Sequence, residues 1–306
     1  MPYRSGVCYS GHGWSHQTAL KKVPGLLSKT AGLTALAMVA FAANSVLCRL
    51  ALGAGLIDAA SFATVRVVAG AVVLSVLMAP RWRKQPRAPV DWRMVATLFA
   101  YMAFFSFAYV TLSTGTGALL LFGAVQLTMF AVALRSGERF SALSWAGLVM
   151  AFAGLAYLVS PGVTAPDIAG ALLMVVAGIS WGIYSLLGRS VVDPLAATAN
   201  NFIFCVPLVL AVSLIFVSSF HATLDGVLIA SVSGGIASGI GYAIWYKALQ
   251  GLTATQGATV QLSAPVIAAI GGVLFIAEDV TLRLLVASVA TLGGVWVVLA
   301  QRARTG

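Results

Sequence analysis

Tyr242 stands four residues after Ser238 and three before Trp245 in an otherwise apolar stretch. On a helix these three share one face. A hydroxyl, a phenol and an indole on one face can hold a small molecule by hydrogen bonds and ring contact. With no His or carboxylate beside them, they offer no general base or activated nucleophile. Met102, Phe105 and Tyr109 form a similar face, with Tyr101 next to it. Trp181 and Tyr184, Asn200 and Asn201, Asn44 and Gln126 are further polar or aromatic groups in apolar runs. Gln256, Thr259 and Ser263 align on one face, with Gln261 on another. We take Asn44, Tyr101, Phe105, Gln126, Trp181 and Tyr184, together with Asn201, Tyr242, Trp245 and Gln261, as candidate substrate-binding residues, because polar groups at lipid depth are functional suspects by default. Two plainer readings compete. An interfacial aromatic belt explains Trp245 as well as a binding wall does. Hydrogen bonding between helices is the rival for the amides.

Arg66, in "TVRVVAGA", is the most costly of these residues: insertion scales put Arg at a helix centre at about 2.5–3.5 kcal/mol. It can snorkel, bond backbone carbonyls or hold a substrate carboxylate. Its repeat partner, Val206, carries no charge, so a structural anchor is the first expectation. Ser231, Gly235 and Gly239 form a small-residue stripe suited to close helix packing or to a sliding gate. Pro207 and Pro265 remove helix hydrogen bonds and are expected either to kink their helices or to free carbonyls toward a cavity.

The remaining chemistry is excluded by what the chain lacks. The eight acidic residues fall in links or at the ends of apolar runs, and the three His residues lie outside them. A proton relay normally uses buried carboxylates or His, so facilitated diffusion or exchange is expected. His-x-x-x-His, Gly-x-Ser-x-Gly and paired intramembrane carboxylates are absent, so no enzyme, metal or cofactor is expected. No Gly-x-x-x-x-Gly-Lys-Ser/Thr loop occurs for ATP. Cys8, Cys48 and Cys205 have no Cys-x-x-Cys spacing and read as small apolar filler.

These residues must be positioned by membrane helices. Of 306 residues, 60% are hydrophobic and 8% charged, far below the roughly 25% charged of soluble domains. About 20 apolar residues make a span, and breaks at charged, Gly, Pro and polar clusters predict ten: 30–50, 58–79, 92–112, 114–134, 141–160, 168–188, 195–217, 226–249, 252–276 and 281–301. The net charge of +10 sits between the apolar runs, which fits membrane topology rather than nucleic acid. With the N-terminus inside, the inner side holds 15 of the 18 Lys and Arg, and the outer side holds Arg49 and Arg283. Both termini are therefore expected in the cytoplasm of a cell bounded by a bacterial-type inner membrane. Residues 1–29 are polar and read as a cytoplasmic tail. Lys21 to Phe41 also has the outline of a signal peptide, with Ala40-Phe41-Ala42 as a cleavage site.

The repeat below instead makes residues 31–50 a structural helix. A shift of 140 aligns residues 31–160 with 171–300 without a gap. Ser45 meets Ser185, Leu47 meets Leu187, Arg49 meets Arg189, and Glu138 meets Glu278. Each half, 30–160 and 161–306, has five spans, so the second enters the membrane upside down. The fold class is an all-α membrane protein of ten helices in two inverted five-helix repeats. Arg49 and Arg189 would each close a first helix at a headgroup surface, where Arg snorkels. Inverted repeats are an architecture of carriers, with gates on either side of a central site.

The chain resembles the drug/metabolite transporter superfamily, specifically its EamA-type members, over about 30–301. The likeness rests on Arg66 in its setting, on "GERFSALSWAGLVMAFAGLAYL", on "GYAIWYKAL" and on "APVIAAIGGVLFIAEDV". One departure is Val125, where the family often has Pro, opposite Pro265 of the second half. The resemblance implies export or exchange of small metabolites by alternating access, amino acids among them. The cavity's own chemistry suits aromatic and other hydrophobic amino acids, weakly polar drugs and other metabolites alike. Sugar- or nucleotide-linked carriers share the architecture, and a membrane scaffold or receptor is the alternative of another class. The small-molecule substrate and the lipid bilayer are the expected partners, and a monomer suffices.

Overall fold

The computed structural model describes residues 24–83, 89–137, 139–162, 165–188, 191–252 and 254–305. Ten helices follow one another: α1 (Pro24–Gly53), α2 (Ala59–Trp82), α3 (Trp92–Ala108), α4 (Thr114–Arg135), α5 (Ala142–Val159), α6 (Ile168–Gly188), α7 (Pro194–Ile215), α8 (Leu224–Leu249), α9 (Ala254–Gln261 with Ser263–Ile276) and α10 (Leu282–Thr305). Among the described residues there is no strand, only an isolated bridge between Ile57 and Ala222. Among the described residues nine helices are long and apolar enough to span a membrane, and α3, at 17 residues, is shorter. Residues 1–23, Glu138 and Arg189 lie outside the described residues, so the tail and two of the repeat's charged positions are not compared; α1 begins inside the stretch read as tail.

Local chemistry sets the helix starts. Asp58 accepts the Ser61 N–H at 2.9 Å and opens α2; Ser141 does the same for α5 through Ser144. Asp193 caps α7 ahead of Pro194, whose missing N–H costs nothing in the first turn. Large apolar side chains such as Val76, Leu214, Phe275 and Val289 lie on the outside, while Phe62, Leu74, Met102 and Phe202 are fully buried. This is the arrangement expected of a bundle solvated by lipid.

The packing pairs exchange under a shift of five helices. α3 packs on α6 as α8 packs on α1; α4 packs on α6 as α9 packs on α1; α2 meets α7 and α5 meets α10. The α5–α10 contact is close because Gly147 and Gly294 face each other's backbone, and Gly154 faces Thr291.

The structure corrects several expectations about helix interiors. α3 stops at Ala108 rather than 112, because the Tyr109 and Val110 carbonyls turn toward Arg49, which donates to them at 3.3 and 2.9 Å. Arg49 accordingly does not snorkel: it also pairs with Glu278 at 3.2 Å. α9 breaks at Leu262, four residues after Ala258 and three before Pro265, as a missing Pro N–H permits. α4 runs unbroken through Val125, and α7 runs unbroken through Pro207. Within α8, residues Ser233–Ile240 form a π-helix, which no spacing had suggested. The tightest approach of α8 to α2 is at Gly234, beside Gly235 and Gly239 of the stripe: a Cβ at Gly234 would run into the Arg66 carbonyl of α2. Gly235 faces the Val73 side chain and Gly239 faces Gly70 at a looser distance.

The odd-numbered links are tied together at one end. Asp58 accepts the His221 N–H at 3.1 Å, joining the α1–α2 and α7–α8 links. Thr111 donates to Asp167, joining α3–α4 to α5–α6. Arg283 bonds the Ser160 and Pro161 carbonyls. Glu278 joins α9–α10 to the start of α4 through the Thr114 N–H at 2.8 Å.

Candidate substrate cavity

Four helices, α1, α3, α6 and α8, enclose an aromatic cavity at the centre of the bundle. Phe41, Asn44, Tyr101, Phe105, Trp181 and Tyr242 form most of its wall, closed by Ser45 and by Leu121 and Phe122 of α4. The rings leave about 10 Å³, room for roughly one water. An organic ligand therefore enters only when the helices part.

The rings form one connected cluster. Phe41 meets Trp181, Tyr242 and Trp245 edge-on with centroids 5.7–5.9 Å apart. Trp181 lies 4.9 Å from both Tyr101 and Tyr242. Such pairs add about 0.5–1.5 kcal/mol each beyond their buried area. They also make the wall adaptable to any flat apolar body.

A polar network runs behind the rings. Ser233 donates to Asn44 Oδ1 at 2.6 Å, and Asn44 Nδ2 donates to the Tyr101 hydroxyl at 3.4 Å. Arg66 Nη2 donates to that same hydroxyl at 3.1 Å, and Arg66 Nε donates to Ser238 Oγ at 3.2 Å. The guanidinium, 0% exposed, stacks 4.7 Å from the Phe105 ring centre and 5.4 Å from that of Tyr101. Cation–π attraction reaches about 2 kcal/mol when desolvated, and a hydrogen bond to a charged group about 1.5–3. Together these offset the cost of placing Arg at this depth. Arg66 Nη1 is buried without a hydrogen-bond partner. The Tyr242 hydroxyl is buried beside that of Tyr101. No carboxylate pairs with Arg66 among the described residues; those with acidic side chains stand in links or at helix ends.

Of the ten candidates, Asn44, Tyr101, Phe105, Trp181 and Tyr242 line the cavity. Trp245 is buried one layer back, against Phe41, not in an interfacial belt. Tyr184 stacks on Trp181 and accepts from Asn201 Nδ2 at 3.3 Å, forming a separate pair between α6 and α7. Gln126 instead donates to the Ala258 carbonyl, joining α4 to α9. Gln261 donates to its own helix at Gly257, beside the α9 break, with its Oε1 unpartnered. Neither glutamine reaches the wall: both bond carbonyls of α9, whose break draws them there. Pro265 is buried at that break. Arg66, on α2, bonds Tyr101 of α3 and Ser238 of α8, and it stands directly behind the wall.

Phe41 and Ser45 were missed, though the 140-residue shift pairs Phe41 with Trp181 and Ser45 with Ser185. Ser233 was missed for a different reason. It lies five residues before Ser238, and both point inward only because the π-turn advances five residues per hydrogen bond. Among the described residues no group of three or more His, Cys, Asp or Glu is arranged to hold a metal.

Comparison with known proteins agrees with this architecture. The EamA-like transporter family matches residues 168–300. An uncharacterized protein of Pseudomonas aeruginosa is 49% identical over 278 residues, 90% of this chain and 96% of that one. Two uncharacterized transporters of Archaeoglobus fulgidus are 25% and 26% identical, over 80% and 71% of their lengths. A crystal structure at 18% identity superposes with a TM-score of 0.63, covering 89% of this chain and 98% of that one, and so shares its fold.

Proposed function

Because the chain belongs to the EamA-like transporter family, and is thus a multi-pass membrane transporter of small molecules, we propose that it exports or exchanges aromatic and other hydrophobic amino acids. The observation that carries this reading is the cavity itself: an aromatic wall at the bundle centre, drawn from α1, α3, α6 and α8. Those are the first and third helices of each five-helix half. The exchange of packing partners under a five-helix shift supports an inverted repeat. Alternating access follows: the halves rock about the cavity, opening one end while the other closes. The bonded odd-numbered links support a form closed at that end. The excess of Lys and Arg at the other end supports a cytoplasmic orientation for that end, with both chain termini there, in a bacterial-type inner membrane. The wall offers no carboxylate or His to carry a proton, so transport runs as exchange or facilitated diffusion.

The test is counterflow. Liposomes containing the protein and preloaded with unlabelled amino acids are given labelled ones, with and without a pH gradient. Entry of aromatic or aliphatic amino acids that ignores the gradient is expected. Entry that requires the gradient would remove the uncoupled mechanism. No entry, with weakly polar drugs or sugar- or nucleotide-linked metabolites exchanging instead, would replace the substrate class. If folded protein moves no solute at all, a scaffold or receptor becomes the better reading.

A further inference from the structure

Hydrogen-bonding groups in the cavity wall and directly behind it lie on neighbouring side chains and include open donors. Arg66 Nη1 has no hydrogen-bond partner, and the Tyr242 hydroxyl lies beside that of Tyr101. The Tyr101 hydroxyl accepts from both Asn44 and Arg66, which leaves its own proton free to donate. The amide oxygen nearest the wall, Asn44 Oδ1, is already taken by Ser233. A buried cation with an open Nη1 and no counterion among the described residues, beside two neighbouring phenols that can turn to donate, calls for an acceptor-only, negatively charged group.

We infer that Arg66, Tyr101 and Tyr242 form an anion site that recognises the carboxylate of an aromatic or apolar acid, and that the cavity has no equivalent site for the ammonium group of an amino acid. This rests on the carrier reading above and sharpens it: the acid function of the substrate is read, and the amino function is dispensable. A carboxylate at Arg66 Nη1 gains a charge-assisted bond while neutralising a charge that otherwise stands alone in the membrane. An ammonium would meet the same guanidinium as a like charge, with only ring faces in compensation. The ring of the ligand lies against Phe41 and Trp181, and the carboxylate points toward α2.

Three probes with one phenyl arm separate the charges: 3-phenylpropanoate, phenylalanine and 2-phenylethylamine. Binding to the full-length protein is followed by tryptophan fluorescence, since Trp181 stands in the wall. The acid is expected to bind about tenfold or more tighter than the amine, with phenylalanine between them. Arg66→Gln should abolish that preference and Arg66→Lys keep part of it. Tyr242→Phe should weaken the acid several-fold and leave the amine unchanged. Equal or tighter binding of the amine, or an acid affinity that survives Arg66→Gln, would overturn the inference. Should Arg66→Gln not fold, the wild-type ranking decides alone. Counterflow of the same probes and of amino acids tells the two readings apart. Preferential acid binding without counterflow of any solute sustains the anion site and removes the carrier. Counterflow of amino acids without acid preference sustains the carrier and removes the anion site. Neither, in folded protein, removes both.

Discussion

Tyr101 answers two donors with one oxygen, so its hydroxyl holds α1, α2 and α3 together. Tyr101→Phe leaves Arg66 Nη2 and Asn44 Nδ2 short of an acceptor, and a buried unsatisfied donor costs about 1–3 kcal/mol. Thermal unfolding in detergent should fall by several degrees for Tyr101→Phe. It should stay near wild type for Tyr157→Phe, whose ring faces outward. A second residue-scale effect lies outside the membrane helices, at Asp58. Burial alone would raise its carboxyl, but hydrogen bonds from the Ser61 hydroxyl and N–H and from the His221 and Ala60 N–H groups outweigh it and hold it below the usual 3.8. A carboxyl depressed in the folded state contributes stability above its unfolded pKa and loses it as pH falls through the folded value. Asp58→Asn should therefore lower the unfolding temperature at pH 7, with the gap to wild type closing toward pH 3. A gap constant across that range would show that the charge is not what these donors read. At this scale the sequence was legible where a residue type is out of place. Tyr101, Trp181 and Arg66 stand out against an apolar background. Phe41 does not, because a phenylalanine among alanines in a membrane helix looks like filler until its partners are seen.

Helix boundaries were legible from composition, because lipid thickness fixes length and charges mark the ends. The interruptions were less so. Pro265 announced a break in α9, but Pro207 gave none in α7, since a missing N–H removes one bond and packing decides whether the helix yields. The π-segment of α8 has no marker residue. Its consequence is packing: Gly234 lies against the Arg66 carbonyl, so α8 and α2 touch backbone to backbone where the cation is held. Gly234→Ala should abolish folded protein or reduce it severely. Gly32→Ala, on an exposed turn of α1 where a Cβ meets nothing within 4 Å, should be neutral or stabilising by about 0.5–1 kcal/mol. Fluorescence size-exclusion yield and melting temperature measure both. Equal yields would mean that the α2–α8 approach can relax at no cost.

At the scale of the molecule, the aromatic cavity is too narrow for a substrate, so the proposed alternating-access mechanism requires the bonds at the odd-numbered links to break and re-form. Arg49 is central among them: it joins α1 to Glu278 at the far side and to two carbonyls of the α3–α4 turn, and Glu278 in turn caps α4. The two partners come from different halves, so the pair holds only while the halves meet at that end. The repeat was read from Arg49/Arg189 and Glu138/Glu278, yet the sequence pairs them along the chain, not across it. That Arg49 faces Glu278 depends on which halves meet, which no linear spacing encodes. Glu278→Ala leaves Arg49 without its anion and the Thr114 N–H without its cap. A partly buried pair with a cap contributes on the order of 1–2 kcal/mol, enough to move a two-state equilibrium about five- to thirtyfold. The measurement is maleimide labelling of Ser45→Cys in the cavity wall, with Cys8, Cys48 and Cys205 replaced by Ala and a membrane-impermeant reagent on the side of the odd-numbered links. Glu278→Ala should speed labelling by about that factor, while Arg81→Ala, whose pair with Asp193 is largely exposed at the opposite end, should not speed it. Unchanged labelling in Glu278→Ala would mean that the latch is a helix cap alone and that the barrier to opening lies in the aromatic cluster.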